Sequence, residues 1–159
     1  MDDSATEGPR RPRREKSLLA RALGYLARRE HSRAELRRKL VAHAESAGQL
    51  DGLLDDLEGK KLLSDRRFTE VMARSRGARF GAARVKQELR ARGVADALVR
   101  EAVGDLSQTE LQRARQVWRR KFDAPPADAA ERARQMRFLA QRGFSAEVIR
   151  RVVRGGEDD

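Results

Sequence analysis

The segment ARFGAARVKQELRARGV, Ala78 to Val94, sets the reading of the whole chain. Gly81 interrupts the residues before it, and Val85 and Leu89 fall four apart on one helical face. Gly93 stands where a left-handed C-terminal turn favours a residue without a β-carbon. Val94 restarts an apolar pattern. The segment is a short amphipathic helix with a defined start and stop, and it carries dense positive charge.

It also recurs. ELRARGVADALVREAV (Glu88 to Val103) aligns without a gap on FLAQRGFSAEVIRRVV (Phe138 to Val153), with identities at Leu89/Leu139, Arg92/Arg142, Gly93/Gly143, Arg100/Arg150 and Val103/Val153. A looser copy, SRAELRRKLVAHAESAGQLDGLLDDL, begins at Ser32 and puts Leu36 and Leu40 in the places of Val85 and Leu89. Units too small to bury their own faces, repeated at a fixed spacing, indicate a helical array.

Composition agrees. Of the 159 residues 38% are charged and only 4% aromatic, which favours an elongated array over one large core. The formal net charge of +11 and a pI near 11.1 call for an acidic partner: nucleic acid, an anionic membrane or an acidic protein. No cysteine is present, so disulfides and thiolate metal sites are excluded. No apolar run suits a membrane span or a signal peptide, and the expected location is the cytoplasm.

The expected organisation is all-α. Residues 1–16, with Pro9, Pro12 and a basic run, read as a disordered arm. Three helical repeats follow over 17–63, 64–105 and 106–154, and 155–159 form an acidic tail. Ser17 to Arg29 is an amphipathic helix. Ser32 and Glu35 form a Ser-x-x-Glu capping box opening a second helix, which Gly48 closes, and Leu50, Leu53, Leu54 and Leu57 line a third. Phe68, Val71 and Met72 mark the first helix of the second repeat. Ser107 and Glu110 are read as another capping box, ahead of a helix with Ala114, Val117 and Trp118. Pro125 and Pro126 force a loop.

Catalytic patterns are missing. There is no Gly-x-x-x-x-Gly-Lys loop, dinucleotide fingerprint or Gly-x-Ser-x-Gly elbow, and His31 and His43 are poorly spaced for zinc. No cofactor is expected. Asp51, Asp55, Asp56 and Glu58 read as a solvated helix face, and Tyr25 and Trp118 as core anchors.

Positive charge is concentrated between Arg66 and Arg100, where ten basic against three acidic residues supply +7 of the total +11. Lys86 and Arg90 lie four apart on the outer face of one helix, as do Arg33 and Arg37 on another, a like-charge arrangement that costs a helix roughly 0.2–0.5 kcal/mol per pair. Arg33, Arg37, Arg74, Arg79, Lys86 and Arg90 are therefore the candidate anion- or partner-contacting residues. Arg84 and Arg92 are assigned to Glu88.

The stretches Ala22 to Leu40, Leu62 to Val94 and Phe138 to Val153 together resemble the RecX family, bacterial modulators of the RecA recombinase. The resemblance runs from about Leu18 to Arg154. It implies an all-helical, elongated protein of three tandem three-helix units, acting as a monomer in the groove of the RecA filament on single-stranded DNA. It also implies inhibition of filament extension, ATP hydrolysis, strand exchange and co-protease activity, without catalysis, in DNA repair and the SOS response. Asp65 and Phe68 match the acidic-aromatic motif that opens the family's second unit, while Arg66 replaces a second acid that is frequent there. The alternative is a basic DNA-binding protein that uses Ala27 to Leu40 as a helix-turn-helix.

Overall fold

The computed structural model describes residues 14–155, so the expected arm over 1–16 and the acidic tail over 155–159 lie almost wholly outside the described residues. The described chain is helical throughout. The elements are α1 (Leu18–Arg28), α2 (Arg33–Leu40), a 3-10 turn (Val41–His43), α3 (Ala47–Gly59), α4 (Asp65–Gly77), α5 (Ala82–Ala91), α6 (Asp96–Gln108), α7 (Glu110–Lys121), α8 (Ala129–Gln141) and α9 (Ala146–Val153).

Short polar side chains start most of these helices. Ser17, Ser32, Ser46, Ser64, Asp128 and Ser145 each accept a hydrogen bond from the backbone N–H three residues on, at 2.8–3.3 Å, which satisfies one of the first-turn donors that a helix leaves open. Ser46 corrects the sequence reading. Gly48, expected to end the second helix, lies inside α3, because Ser46 opens a new helix after the 3-10 turn. The boundary expected between 105 and 106 falls inside α6, which continues to Gln108.

The glycine stops form as expected. Gly93 has φ +74° and Gly143 φ +84°. In each turn the next residue donates back across the glycine, Val94 to the Leu89 carbonyl at 3.2 Å and Phe144 to the Leu139 carbonyl at 3.4 Å. Val94 and Phe144 then tuck against Leu89 and Leu139, and all four are buried. The repeat seen in the sequence is therefore a repeat of helix endings.

Three separate apolar clusters follow one another along the chain. Leu36, Leu40, Leu50, Leu54, Leu57 and Leu63 centre the first, Phe68, Val85, Leu89, Val94 and Val99 the second, and Ala114, Val117, Leu139, Ile149 and Val152 the third. Each is built by three helices, with α4, α5 and α6 in mutual contact and α9 packed on both α7 and α8. Val71, which with Phe68 and Met72 marks α4 in the sequence, is 46% exposed beside the buried Met72. Tyr25 and Trp118 pack against the first and third clusters as core anchors.

Candidate partner-binding surface

With separate cores, the geometry of any large binding surface depends on the two joints between units. Both joints are built the same way. At the first, Ser32 Oγ donates to the Arg92 carbonyl at 2.6 Å, and the Arg33 N–H donates to Asp65 Oδ1 at 2.7 Å. At the second, the Gly81 N–H donates to the Arg142 carbonyl at 2.8 Å, and the Ala82 N–H donates to Glu110 Oε1 at 2.9 Å. Ser32 corresponds to Gly81 and Arg33 to Ala82 in the register that aligns Leu36 with Val85. In each case the start of one unit's middle helix is capped by an acid opening the next unit and sits on the Arg-Gly turn ending the next unit's middle helix.

The glycines make this approach possible. A β-carbon on Gly93 would lie 2.5 Å from Ala34 Cβ, and one on Gly143 would lie 2.7 Å from Arg84 Cβ. The match of Arg92-Gly93 with Arg142-Gly143 thus marks the docking edge of each unit. The second joint is reinforced by Arg113, which donates to the Gly77 and Phe80 carbonyls at 2.5 and 2.8 Å. Burial holds its guanidinium below the usual arginine range.

Both glutamates assigned to capping boxes serve these joints instead. Glu35 Oε1 and Oε2 accept from Arg29 at 2.9 Å each, and Glu35 also pairs with Arg92. Ser107 lies within α6 and donates to the Val103 carbonyl, while Glu110 caps α5. Arg92, assigned to Glu88 from sequence, pairs with Glu35, and Glu88 is held by Arg76 at 3.0 Å and Arg84 at 3.6 Å.

Beside Glu35 lies His31, 1% exposed. Its Nδ1 is 3.0 Å from the Arg29 carbonyl and its Nε2 is 2.8 Å from Lys39 Nζ. A neutral ring satisfies both contacts, with Nδ1–H donating to the carbonyl and Nε2 accepting from the ammonium. Burial pushes the His31 pKa down, and the neighbouring Arg29 and Lys39 charges add to that effect. Burial alone would raise the Glu35 pKa, but hydrogen bonding and charge from Arg29, with the charge of Arg92, bring it below the usual carboxylate range.

The six sequence-selected cations do not form one patch. Arg33 reaches Asp55 at 2.7 Å and Glu58 at 3.3 Å, and Arg37 reaches Asp51 at 3.2 Å, so the acidic face of α3 neutralises the basic face of α2. Arg74 is exposed on a cleft between α4 and α6 that also holds Glu70, Glu101 and Asp105. Arg90 approaches Asp96 at 3.8 Å. Lys86, expected to point outward, is half-buried. Arg79 is exposed on the α4–α5 turn without an ion pair among the described residues.

The window from Arg66 to Arg100 singled out in the sequence is not where unpaired charge collects. In the middle unit Arg66, Arg67, Arg76, Arg84, Arg90 and Arg92 all have carboxylate partners. Between Glu110 and Arg154, Arg134 alone does so among the described residues. Arg142 had a visible signal, its identity with Arg92 across the repeat; Arg120 and Lys121 had none. The helix-turn-helix alternative is also affected. Ser32 is fully buried and the α2 N-terminus is covered by the second unit, so the end of α2 that would enter a groove is occluded.

No described helix is long and apolar enough to cross a membrane, and no described group of three or more His, Asp or Glu side chains is placed to hold a metal ion. Fold and joints together define an all-α repeat protein, three three-helix units docked in series through one recurring contact. Comparison with known proteins gives the family. Residues 19–45, 64–103 and 108–153 match the first, second and third three-helix domains of RecX. The regulatory protein RecX of Ralstonia nicotianae is 51% identical over 146 residues, covering 92% of each chain, and that of Neisseria meningitidis serogroup C is 39% identical over 145 residues, covering 91% of this chain and 94% of the relative. The chain belongs to the RecX family. The crystal structure of RecX from Lactobacillus salivarius superposes with a TM-score of 0.67 at 19% identity, over 86% of this chain and 92% of that one, and so shares the fold.

Proposed function

We propose that this protein is a non-enzymatic regulator that binds the RecA nucleoprotein filament in its groove. Bound there it inhibits filament extension, ATP hydrolysis, strand exchange and co-protease activity. The observation that carries this reading is the match of all three units to RecX domains. The joints support it, since two equivalent contacts give the units one mutual geometry, as docking along a repeating helical partner requires. The site of action is the bacterial cytoplasm, where RecA works.

The reading is tested by capture on immobilised RecA with and without single-stranded DNA and a non-hydrolysable nucleotide. Retention should be strongest on the assembled filament and weak on free RecA. Retention on bare DNA equal to that on the filament would favour the DNA-binding alternative.

A further inference from the structure

The turn between α4 and α5, the end of α7 and the end of α8 meet at the second joint and enclose a cleft of about 240 Å³. Its walls are Arg79, Arg120, Lys121 and Arg142, and its floor is Ala78, Val117 and Phe138. It contains four cations and no carboxylate. None of the four has an ion pair among the described residues, although Arg142 donates to the Arg79 carbonyl at 3.4 Å. The cleft between α4 and α6, by contrast, sets Arg66 and Arg74 against Glu70, Glu101 and Asp105, and an acid-free cleft on α1 holds three cations, Lys16, Arg21 and Arg28, from that one helix and the residues before it.

Two features of this cleft go beyond helix-end charge compensation. The cations come from three elements of two units: the third unit supplies Arg120, Lys121 and Arg142, and the docked joint adds Arg79. The Arg142 guanidinium is also stacked 4.6 Å from the centroid of the Phe138 ring and 5.7 Å from that of Phe80, which limits its rotamers.

We propose that this cleft is a phosphate-binding site for a single-stranded nucleic acid, with Arg79, Arg120, Lys121 and Arg142 contacting the backbone. A carboxylate side chain carries one negative charge, too little for four convergent cations. A nucleic-acid strand brings successive phosphates, and the apolar floor of Val117 and Phe138 gives the adjoining sugar or base a non-polar surface. Phosphate contacts of this kind position a strand without reading its sequence. The site concerns the purified chain and nucleic acid alone, so its failure would leave the RecA reading untouched.

The test is binding of a fluorescently labelled oligothymidylate to the full chain across a salt series. Arg120→Ala with Lys121→Ala removes two exposed cations from the cleft, and Arg150→Ala with Arg151→Ala removes two exposed cations of α9 outside it. The N-terminal segment is identical in both and contributes equally. The cleft pair is expected to weaken binding by about fivefold or more and to flatten the log–log salt dependence by about 1.4, on roughly 0.7 per single-strand phosphate contact. The α9 pair should stay within about twofold of wild type. Arg79→Gln, on a different element, should flatten the slope by about 0.7. Equal losses in the two double variants, or an unchanged slope in the cleft pair, would overturn the proposal. So would a cleft pair that loses affinity for poly-L-glutamate while keeping the oligothymidylate, because the occupant would then be an acidic protein segment.

Discussion

Gly81→Ala is expected to separate the third unit from the second at a cost of about 3 kcal/mol or more. The added β-carbon would lie 2.1 Å from the Gly143 carbonyl oxygen, 2.3 Å from its carbon and 2.5 Å from the Phe144 nitrogen. These are backbone atoms of a glycine turn already at positive φ, and no rotamer change moves them. Relief requires α5 to lift away, which loses the Gly81 to Arg142 bond, the Ala82 to Glu110 bond, and the acid-free cleft alongside. Each unit has its own apolar cluster, so helical content should survive. The expected record is near wild-type circular dichroism, an earlier and broader melt, and new proteolytic cleavage in the α4–α5 turn. Gly104→Ala is the control. Nothing lies within 4 Å of a β-carbon there, in the middle of α6, and it should stabilise by about 0.5–1 kcal/mol.

Glu35→Ala is expected to weaken the first joint by about 2 kcal/mol. Breaking a fully buried ion pair costs about 3–5 kcal/mol, but the Arg29 and Arg92 side chains are 46% and 37% exposed, so solvent recovers part of that loss. The same cluster makes stability fall in acid. Because the His31 pKa is lowered by folding, protonation disfavours the native state; this contribution is complete above the unfolded value near 6.5 and is lost as pH drops below it. Glu35, also lowered, contributes above its unfolded value near 4.3 and is lost only in stronger acid. Melting should therefore fall between about pH 7.5 and 5.5 in wild type and less steeply in His31→Gln. An equal pH dependence in both would remove His31 as the source.

What was legible in the sequence is what depends on near neighbours. The apolar periodicity, the serine caps and the left-handed glycines are settled within a turn or two of helix, and the repeated Arg-Gly pair gave the modular organisation. What failed depended on partners far away in sequence. Arg92 was given to Glu88, four residues back, whereas it pairs with Glu35, 57 residues away. The Ser-x-x-Glu patterns at Ser32 and Ser107 have the local form of capping boxes, yet both glutamates serve joints between units. Arg33 and Arg37 looked unopposed because their acids sit on α3. Lys86 looked outward because helical phase alone does not show which neighbour covers a face, whereas Arg90 is exposed as expected.

The charge distribution was misread for the same reason. The window from Arg66 to Arg100 stops just short of Asp65, Glu101 and Asp105, and its arginines are largely consumed by carboxylates within the unit and across the first joint. Pairing, which a running sum does not record, leaves the third unit's cations largely available, together with Lys16, Arg21 and Arg28 beside α1.

The central claim, that this chain regulates RecA by binding its filament, is tested most directly by following ATP hydrolysis by RecA on single-stranded DNA while the protein is titrated in. Hydrolysis is expected to fall towards its DNA-free level with wild type, and with Gly81→Ala to require at least about tenfold more protein because the units no longer hold one geometry. Hydrolysis that stays undiminished at saturating wild-type protein would contradict the account.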